Sequence, residues 1–158
     1  MKIQIKNLSK SFGEIQANKN INLNLDNGIH ALLGENGAGK STFVKIISGQ
    51  LIPDSGDIII NGKSIRLGSP KNSIENGIGL LNQDPLDFSN LSILESFLVG
   101  INEKKPFRNI EIIKTKILDL FKNYEIEIEL NNKTSSLSIG ERQQIELIRL
   151  LYNGAKLI

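Results

Sequence analysis

The stretch Gly34-Glu35-Asn36-Gly37-Ala38-Gly39-Lys40-Ser41-Thr42 constrains this chain more than any other. It fits the pattern G-x-x-x-x-G-K-[ST], with Gly34, Gly39, Lys40 and Ser41 at the fixed positions. Ile29-His30-Ala31-Leu32-Leu33 precedes it as a short apolar run, the pattern of a buried strand. After it, Phe43, Val44, Ile46 and Ile47 are expected on one side of a helix that stops at Gly49. Strand, glycine loop and helix together form a cradle for phosphate. Glycines let backbone N–H groups approach anionic oxygens with no side chain in the way. The helix N-terminus adds unpaired N–H groups and a positive dipole end. Lys40 brings a point charge to β- and γ-phosphates, Ser41 a hydroxyl for Mg²⁺, and Thr42 a donor for the α-phosphate. The bland alternative is a glycine-rich turn with a surface lysine; spacing and flanks favour the cradle.

The chain has 158 residues, 39% hydrophobic and 23% charged, enough for a packed core and unlike a disordered segment. Lys and Arg (19) exceed Asp and Glu (17) by 2. That balance argues for neither nucleic acid nor an anionic membrane surface as a partner. The absence of Cys excludes disulfides and thiolate metal sites, and fits a reducing compartment. No apolar run approaches the ~20 residues that span a bilayer, and the N-terminal residues alternate without a signal-peptide core. A membrane role would therefore come through a partner. There is no internal repeat or low-complexity segment, and the many Ile, Asn and Lys residues look like base-composition bias.

In chain order, Ile3, Ile5 and Leu8 alternate as a strand, followed by a turn at Ser9 to Gly13. Ile21, Leu23 and Leu25 form a second strand ending at Asp26-Asn27-Gly28. Pro53 to Gly56 is a turn, and Asp57 to Ile60 a strand entering an Asn61-Gly62 turn. Ser69-Pro70 opens a short helix that Gly77 ends. Ile78 to Leu81 is a compact apolar strand leading to Asn82-Gln83-Asp84-Pro85. Ser92 and Glu95 form a capping box for a helix running to Gly100. Asn102 to Phe107 is a polar loop. Ile110, Ile113, Ile117 and Leu120/Phe121 recur at helical spacing. Ile126, Ile128 and Leu130 suggest an extended piece, with a helical continuation as the alternative. Ser138 and Glu141 form a second capping box, for a helix that Gly154 ends. Lys156 to Ile158 has the character of a new buried strand.

At Leu137-Ser138-Ile139-Gly140-Glu141-Arg142-Gln143-Gln144 the chain resembles the nucleotide-binding domain of ATP-binding cassette (ABC) transporters. The likeness covers the whole chain, and the three motifs in this order are specific to that family. It implies an α/β P-loop NTPase of ABC type: an N-terminal antiparallel β portion, a RecA-like α/β core that stops before its Asp-Glu strand, and an α-helical subdomain. The expected divisions are residues 1–83 for the β portion and phosphate loop, 84–150 for the helical subdomain with the signature segment, and 151–158 for the start of the next core strand.

The resemblance assigns roles residue by residue. Phe12 stands where the family stacks an aromatic ring on adenine; a core or surface aromatic is the alternative. Gly34 to Thr42 matches the phosphate loop. Gln83 matches the Q-loop glutamine, which reaches Mg²⁺ or the attacking water; a plain polar loop residue is the alternative. Ser138, Gly140 and Gln143 fall in the signature segment, which in the family closes over ATP held by the opposite subunit of a head-to-tail dimer. Capping alone is the alternative for Ser138. Ile139 and Glu141 depart from the commonest pattern, and resemble the importers of simple sugars, or of nucleosides delivered by receptors. Implied cofactors are ATP and Mg²⁺, with Ser41 and Gln83 at the metal and Lys40 and Gln83 in catalysis. Implied partners are a second nucleotide-binding domain, transmembrane permease subunits and, indirectly, a solute-binding receptor, at the cytoplasmic face of the cell membrane. No nucleic acid is implied.

His30, the single histidine, precedes the loop, whereas the family's switch histidine follows the signature; His30 is expected to be structural. The family's Asp and Glu for hydrolysis lie on the strand that begins near Leu157, beyond the last residue. Neither Glu35 nor Glu141 replaces them. The expectation is the front part of the first cassette of an ATP-hydrolysing importer subunit, with negligible turnover on its own and marginal stability. The alternative is a non-hydrolysing nucleotide-binding fragment of a truncated gene. A soluble ABC ATPase acting on ribosomes or DNA is disfavoured by the near-neutral charge.

Overall fold

The computed structural model describes residues 1–85, 88–99 and 109–158. The expected helix stop at Gly100 and the polar loop Asn102 to Phe107 lie outside the described residues. The chain divides into two compact units, Met1–Gly79 with Gly154–Ile158, and Leu80–Asn153.

In the first unit, β1 (Ile3–Phe12), β2 (Ile15–Leu25), β3 (Ser55–Ile60) and β4 (Lys63–Ser64) form an antiparallel sheet in the order β2-β1-β3-β4. The strands are longer than the alternation of apolar residues suggests. Ser9 to Gly13, expected as a turn, belongs to β1 as far as Phe12. The reason is a bulge. Ile3, Ile5 and Leu8 are all buried, yet Leu8 breaks the period of two, and the register shifts between Ile5 and Leu8. Asn7 absorbs the shift at φ 49°, a left-handed conformation that asparagine tolerates. Its N–H donates to Asn22 Oδ1 on the neighbouring strand at 3.0 Å. The Asn61-Gly62 turn forms as expected, with φ 47° and 84° matching the twist of the hairpin between β3 and β4.

Helix α1 (Lys40–Ile47) covers one side of this unit and buries Phe43, Ile46 and Ile47. Val44, expected on the same side, lies about 100° further round and is exposed. Phe43, Ile46 and Ile47 join Ile3, Ile5, Leu8, Ile58 and Ile60 in one core. Burying each such side chain is worth about 1.5–3 kcal/mol. A short helix, α2 (Pro70–Glu75), is capped by Ser69, whose Oγ accepts from Asn72 N–H.

Two expected strands do not form as such. Ile29 to Leu33 carries no ladder, and Ile29, Leu32 and Leu33 are exposed at 103%, 47% and 87%. An apolar run becomes a buried strand only with backbone partners on its edges, and none is present among the described residues. Ile78 to Leu81 reduces to one parallel bridge, Ile78 with Leu157. Leu157 thus has the strand-like start expected of it.

The second unit contains α3 (Ile93–Leu98), α4 (Ile110–Asn123), a 3₁₀ turn at Thr134–Ser136 and α5 (Ile139–Tyr152). Its core is Ile93, Phe97, Ile113, Ile117, Phe121, Leu130, Leu137, Ile145 and Ile148. Ile110 starts α4 but is exposed. Phe97 and Tyr152 meet edge to face, with centroids 5.8 Å apart. Residues 126–129 are neither helix nor strand, and Leu130 lies in a turn. Ile126 and Ile128 pack on the core while the glutamates between them face solvent.

Candidate functional site

The phosphate-type loop joins residue 33 to α1 in the first unit. Among the described residues, four of the five α-helices carry a side-chain cap: Ser69 on α2, Ser92 on α3, Asn109 on α4 and Ser138 on α5. Helix α1 does not. Its N-cap is Gly39, which offers no side-chain acceptor to the first-turn N–H groups. The helix end is thus left to an acceptor from elsewhere, which suits an anion.

Gly39 is also the point where the loop touches the sheet. Its φ is 83°, and a Cβ there would sit 2.1 Å from Ala17 O and 2.8 Å from Asn18 Nδ2, both on β2. Only glycine satisfies the conformation and the approach together. Asn18, 6% exposed, donates from Nδ2 to Gly39 O at 3.3 Å, which also accepts the N–H of Phe43 at 2.9 Å. Asn18 gave no signal in the sequence, since a lone Asn in a strand has no local pattern.

Lys40 turns back over the loop. Its Nζ donates to Gly34 O and to Glu35 O, each at 2.7 Å. Ala38 N–H closes the loop on Glu35 O at 3.1 Å. Ser41 is exposed and Thr42 half-buried. The ammonium is therefore already inside the loop, held by two carbonyls that phosphate oxygens can replace. Glycine cradle, uncapped helix and preplaced ammonium fit a nucleotide's phosphates.

Phe12 lies at the tip of the hairpin between β1 and β2, paired with Ile15. It is 50% exposed, so it is no core aromatic, and Lys10 Nζ lies 5.5 Å from its ring centroid. The same lysine pairs with Asp54 at 2.8 Å, and its hydrogen bond together with that of Ser11 N–H holds the Asp54 carboxyl below the usual range. His30 is exposed, with Nε2 3.0 Å from Asp26 O.

Gln83, Ser138 and Gly140 belong to the second unit. Gln83 accepts at its main-chain O from Gln143 Nε2 at 2.9 Å, and Asn82 Nδ2 donates to Glu146 Oε1 at 3.3 Å. Pairs 60 and 64 residues apart leave no trace in local spacing. Ser138 forms the expected capping box. Its Oγ accepts from Glu141 N–H, while its own N–H and Oγ–H donate to Glu141 Oε2 at 2.7 Å each. Gly140 has open space where a Cβ would stand. Neither the helix nor its surroundings require glycine there.

The hydrogen bonds from Ser138 hold the Glu141 carboxyl below its usual range, as those from Ser92 do for Glu95. A carboxyl of unfolded pKa about 4.3 that is lowered on folding stabilises the fold above that value. The contribution is lost as pH falls through the lowered folded value. Acid titration below pH ~5 is therefore expected to lower the melting midpoint. Glu141→Gln, which cannot titrate, should flatten part of that slope; an unchanged profile in this variant would dissociate the slope from the cap.

Among the described residues no cluster of three or more His, Asp or Glu could hold a metal ion. A magnesium ion seldom needs one, since it is bound through one or two protein oxygens and substrate phosphates. No helix among the described residues is long and apolar enough to cross a membrane.

A sequence model of the ABC transporter family matches residues 18–158. The chain belongs to the ABC transporter family. Its relatives include the nucleoside import ATP-binding protein NupA of Lactococcus lactis subsp. cremoris, 37% identical over 99% of this chain and 31% of NupA. The ribose import ATP-binding protein RbsA of Streptococcus agalactiae is 35% identical over 100% of this chain and 33% of RbsA. The ABC chain thus spans about a third of the length of these curated relatives. Among solved structures, the ATP-binding cassette MJ0796, in a dimeric post-hydrolysis state bound to ADP and Pi, is similar with a TM-score of 0.76 at 26% identity. That match covers 97% of this chain and 70% of the other. The uncapped α1 and the loop that Lys40 closes lie within the residues that the family model matches.

Proposed function

We propose that this chain binds Mg-ATP through the loop Gly34 to Thr42, as part of the ATP-hydrolysing subunit of an importer for a simple sugar or a nucleoside. The carrying observation is the Lys40 ammonium held 2.7 Å from two loop carbonyls beside an uncapped helix. Lys40 would meet the β- and γ-phosphates, Ser41 the Mg²⁺, and Thr42 the α-phosphate. Magnesium would neutralise phosphate charge. Glu35, Asn36, Gly37, Ala38 and Gly39 supply the backbone of the cradle. Phe12, exposed at a hairpin tip, is the ring proposed to stack on adenine. The metal- and water-facing role of Gln83 is carried over from its place in the order of family motifs.

Ser138 and Gly140 are proposed to face the nucleotide of a second cassette in a head-to-tail dimer, a reading supported by the dimeric state of the similar MJ0796. Permease subunits, and through them a receptor, complete the proposal, placing the chain at the cytoplasmic face of the membrane. Solute choice is supported by the import relatives for nucleosides and ribose.

Calorimetric titration with ATP, with and without Mg²⁺, tests this reading. Saturable binding that magnesium tightens is expected; no binding in either condition would remove the proposal. Gly140 allows a separate check. Gly140→Ala meets no neighbour and should stabilise the fold by about 0.4–1 kcal/mol, because alanine restricts the unfolded chain. The same methyl should weaken ATP-dependent pairing of cassettes, measured by sedimentation. Unimpaired pairing would show that no partner approaches Gly140 closely.

A further inference from the structure

Glu146 is the only charged residue type among the buried residues described, at 5% exposure. One carboxyl oxygen, Oε1, accepts from Asn82 Nδ2 at 3.3 Å; the other has no hydrogen-bond partner among the described residues. Burying a carboxyl with one oxygen unpaired costs free energy that a leucine of similar size avoids. Helix α5 has its apolar anchors already in Ile145 and Ile148. Stability alone therefore does not explain a glutamate here. A directional contact does, and leucine cannot make one.

The direction of that contact is informative. Glu146 follows Gln143 by three positions, so both lie on one face of α5. Gln143 donates to Gln83 O, and Glu146 accepts from Asn82, the preceding residue. Consecutive residues of the loop are thus each held by α5, which Ser138 caps and whose first turn carries Gly140. We propose that Gln143 and Glu146 form a two-point clamp that fixes residues 82–83 on the signature helix, making Glu146 a positioning residue for Gln83 through Asn82. The consequence for nucleotide rests on the role proposed above for Gln83. The clamp itself is a property of the second unit alone.

The test uses Glu146→Leu, Glu146→Gln and Asn82→Ala in the 158-residue chain. The first readout needs no nucleotide: the NMR shift and solvent exchange of the Gln143 side-chain amide. Glu146→Leu is expected to move that resonance toward free glutamine and speed its exchange about tenfold, with an unchanged or raised melting midpoint. Glu146→Gln, which keeps an acceptor oxygen, should restore the wild-type signal. The second readout is ATP affinity with and without Mg²⁺. Glu146→Leu should leave the magnesium-free Kd unchanged and reduce the tightening by Mg²⁺ about fivefold. Wild-type behaviour of Glu146→Leu in both readouts, or failure of Glu146→Gln to rescue, would overturn the clamp. If Glu146→Leu does not fold, Asn82→Ala removes the same bond and is read in the same way. If the wild-type chain binds no ATP, the proposed function falls, and the Gln143 signal alone decides the clamp.

Discussion

Lys40→Ala is expected to weaken ATP binding at least about a hundredfold while leaving the fold intact. Hydrogen bonds to charged groups are worth about 1.5–3 kcal/mol each, and each 1.4 kcal/mol is a factor of ten in affinity. The Lys40 ammonium makes two such bonds to the loop before any ligand arrives, so little ordering remains to be done on binding. Removing it loses both the charge and the preplacement. The fold should survive, because the bonds lost are exposed and go to loop carbonyls, not to the core. Lys40→Arg is expected to recover only part of the affinity, since a planar fork does not fit where a compact ammonium turned back over the loop. Circular dichroism beside a binding titration separates the two effects. Unchanged affinity in Lys40→Ala would take the loop out of nucleotide recognition.

The second large effect is expected from one added methyl group. Gly39→Ala should destabilise the first unit by about 2–5 kcal/mol, combining a left-handed conformation worth about 1–2 kcal/mol with an overpacking cost of about 1–3 kcal/mol. The methyl would stand 2.1 Å from Ala17 O, a main-chain atom of β2, so the strand and not a flexible side chain must yield. Urea denaturation measures the loss. A change within about 0.5 kcal/mol, the usual range for surface substitutions, would show that loop and strand do not touch as described. The contrast with Gly140→Ala is informative. Both glycines are proposed to serve nucleotide binding, yet one is demanded by its own fold and the other is not.

What the sequence made legible was local. The caps at Ser69, Ser92 and Ser138 formed because an N-cap needs only an acceptor and N–H groups two or three residues on. The Asn61-Gly62 turn and the loop before α1 are likewise set by a few adjacent residues. Strand extent was less legible. Ser9 to Phe12 look like turn formers, but the bulge at Asn7 and pairing with β2 carry the strand through them. Ile29 to Leu33 has strand composition without edge partners, and composition does not supply them. At the candidate site, the residues proposed to touch phosphate were visible as a motif. The contacts of Asn18 with Gly39 in the first unit, and of Gln143 and Glu146 with residues 82–83 in the second, were not, because their partners are remote in sequence.

The division into units also has a kinetic side. The second unit is one uninterrupted segment, while the first also includes Gly154–Ile158 after it. The bonds that join these residues to it, Gly79 N–H to Leu157 O at 2.8 Å and Lys156 N–H to Gly77 O at 2.7 Å, close a chain loop that contains the second unit's sequence. Loop-closure entropy rises only slowly with length, so these bonds are stable once made. They are late in time, however. The hairpin of β1 and β2 can form within microseconds, whereas Gly77 and Gly79 must wait for partners made at the far end of the chain. Emerging from a ribosome, the first unit begins before the second and gains the partners of Gly77 and Gly79 only after it.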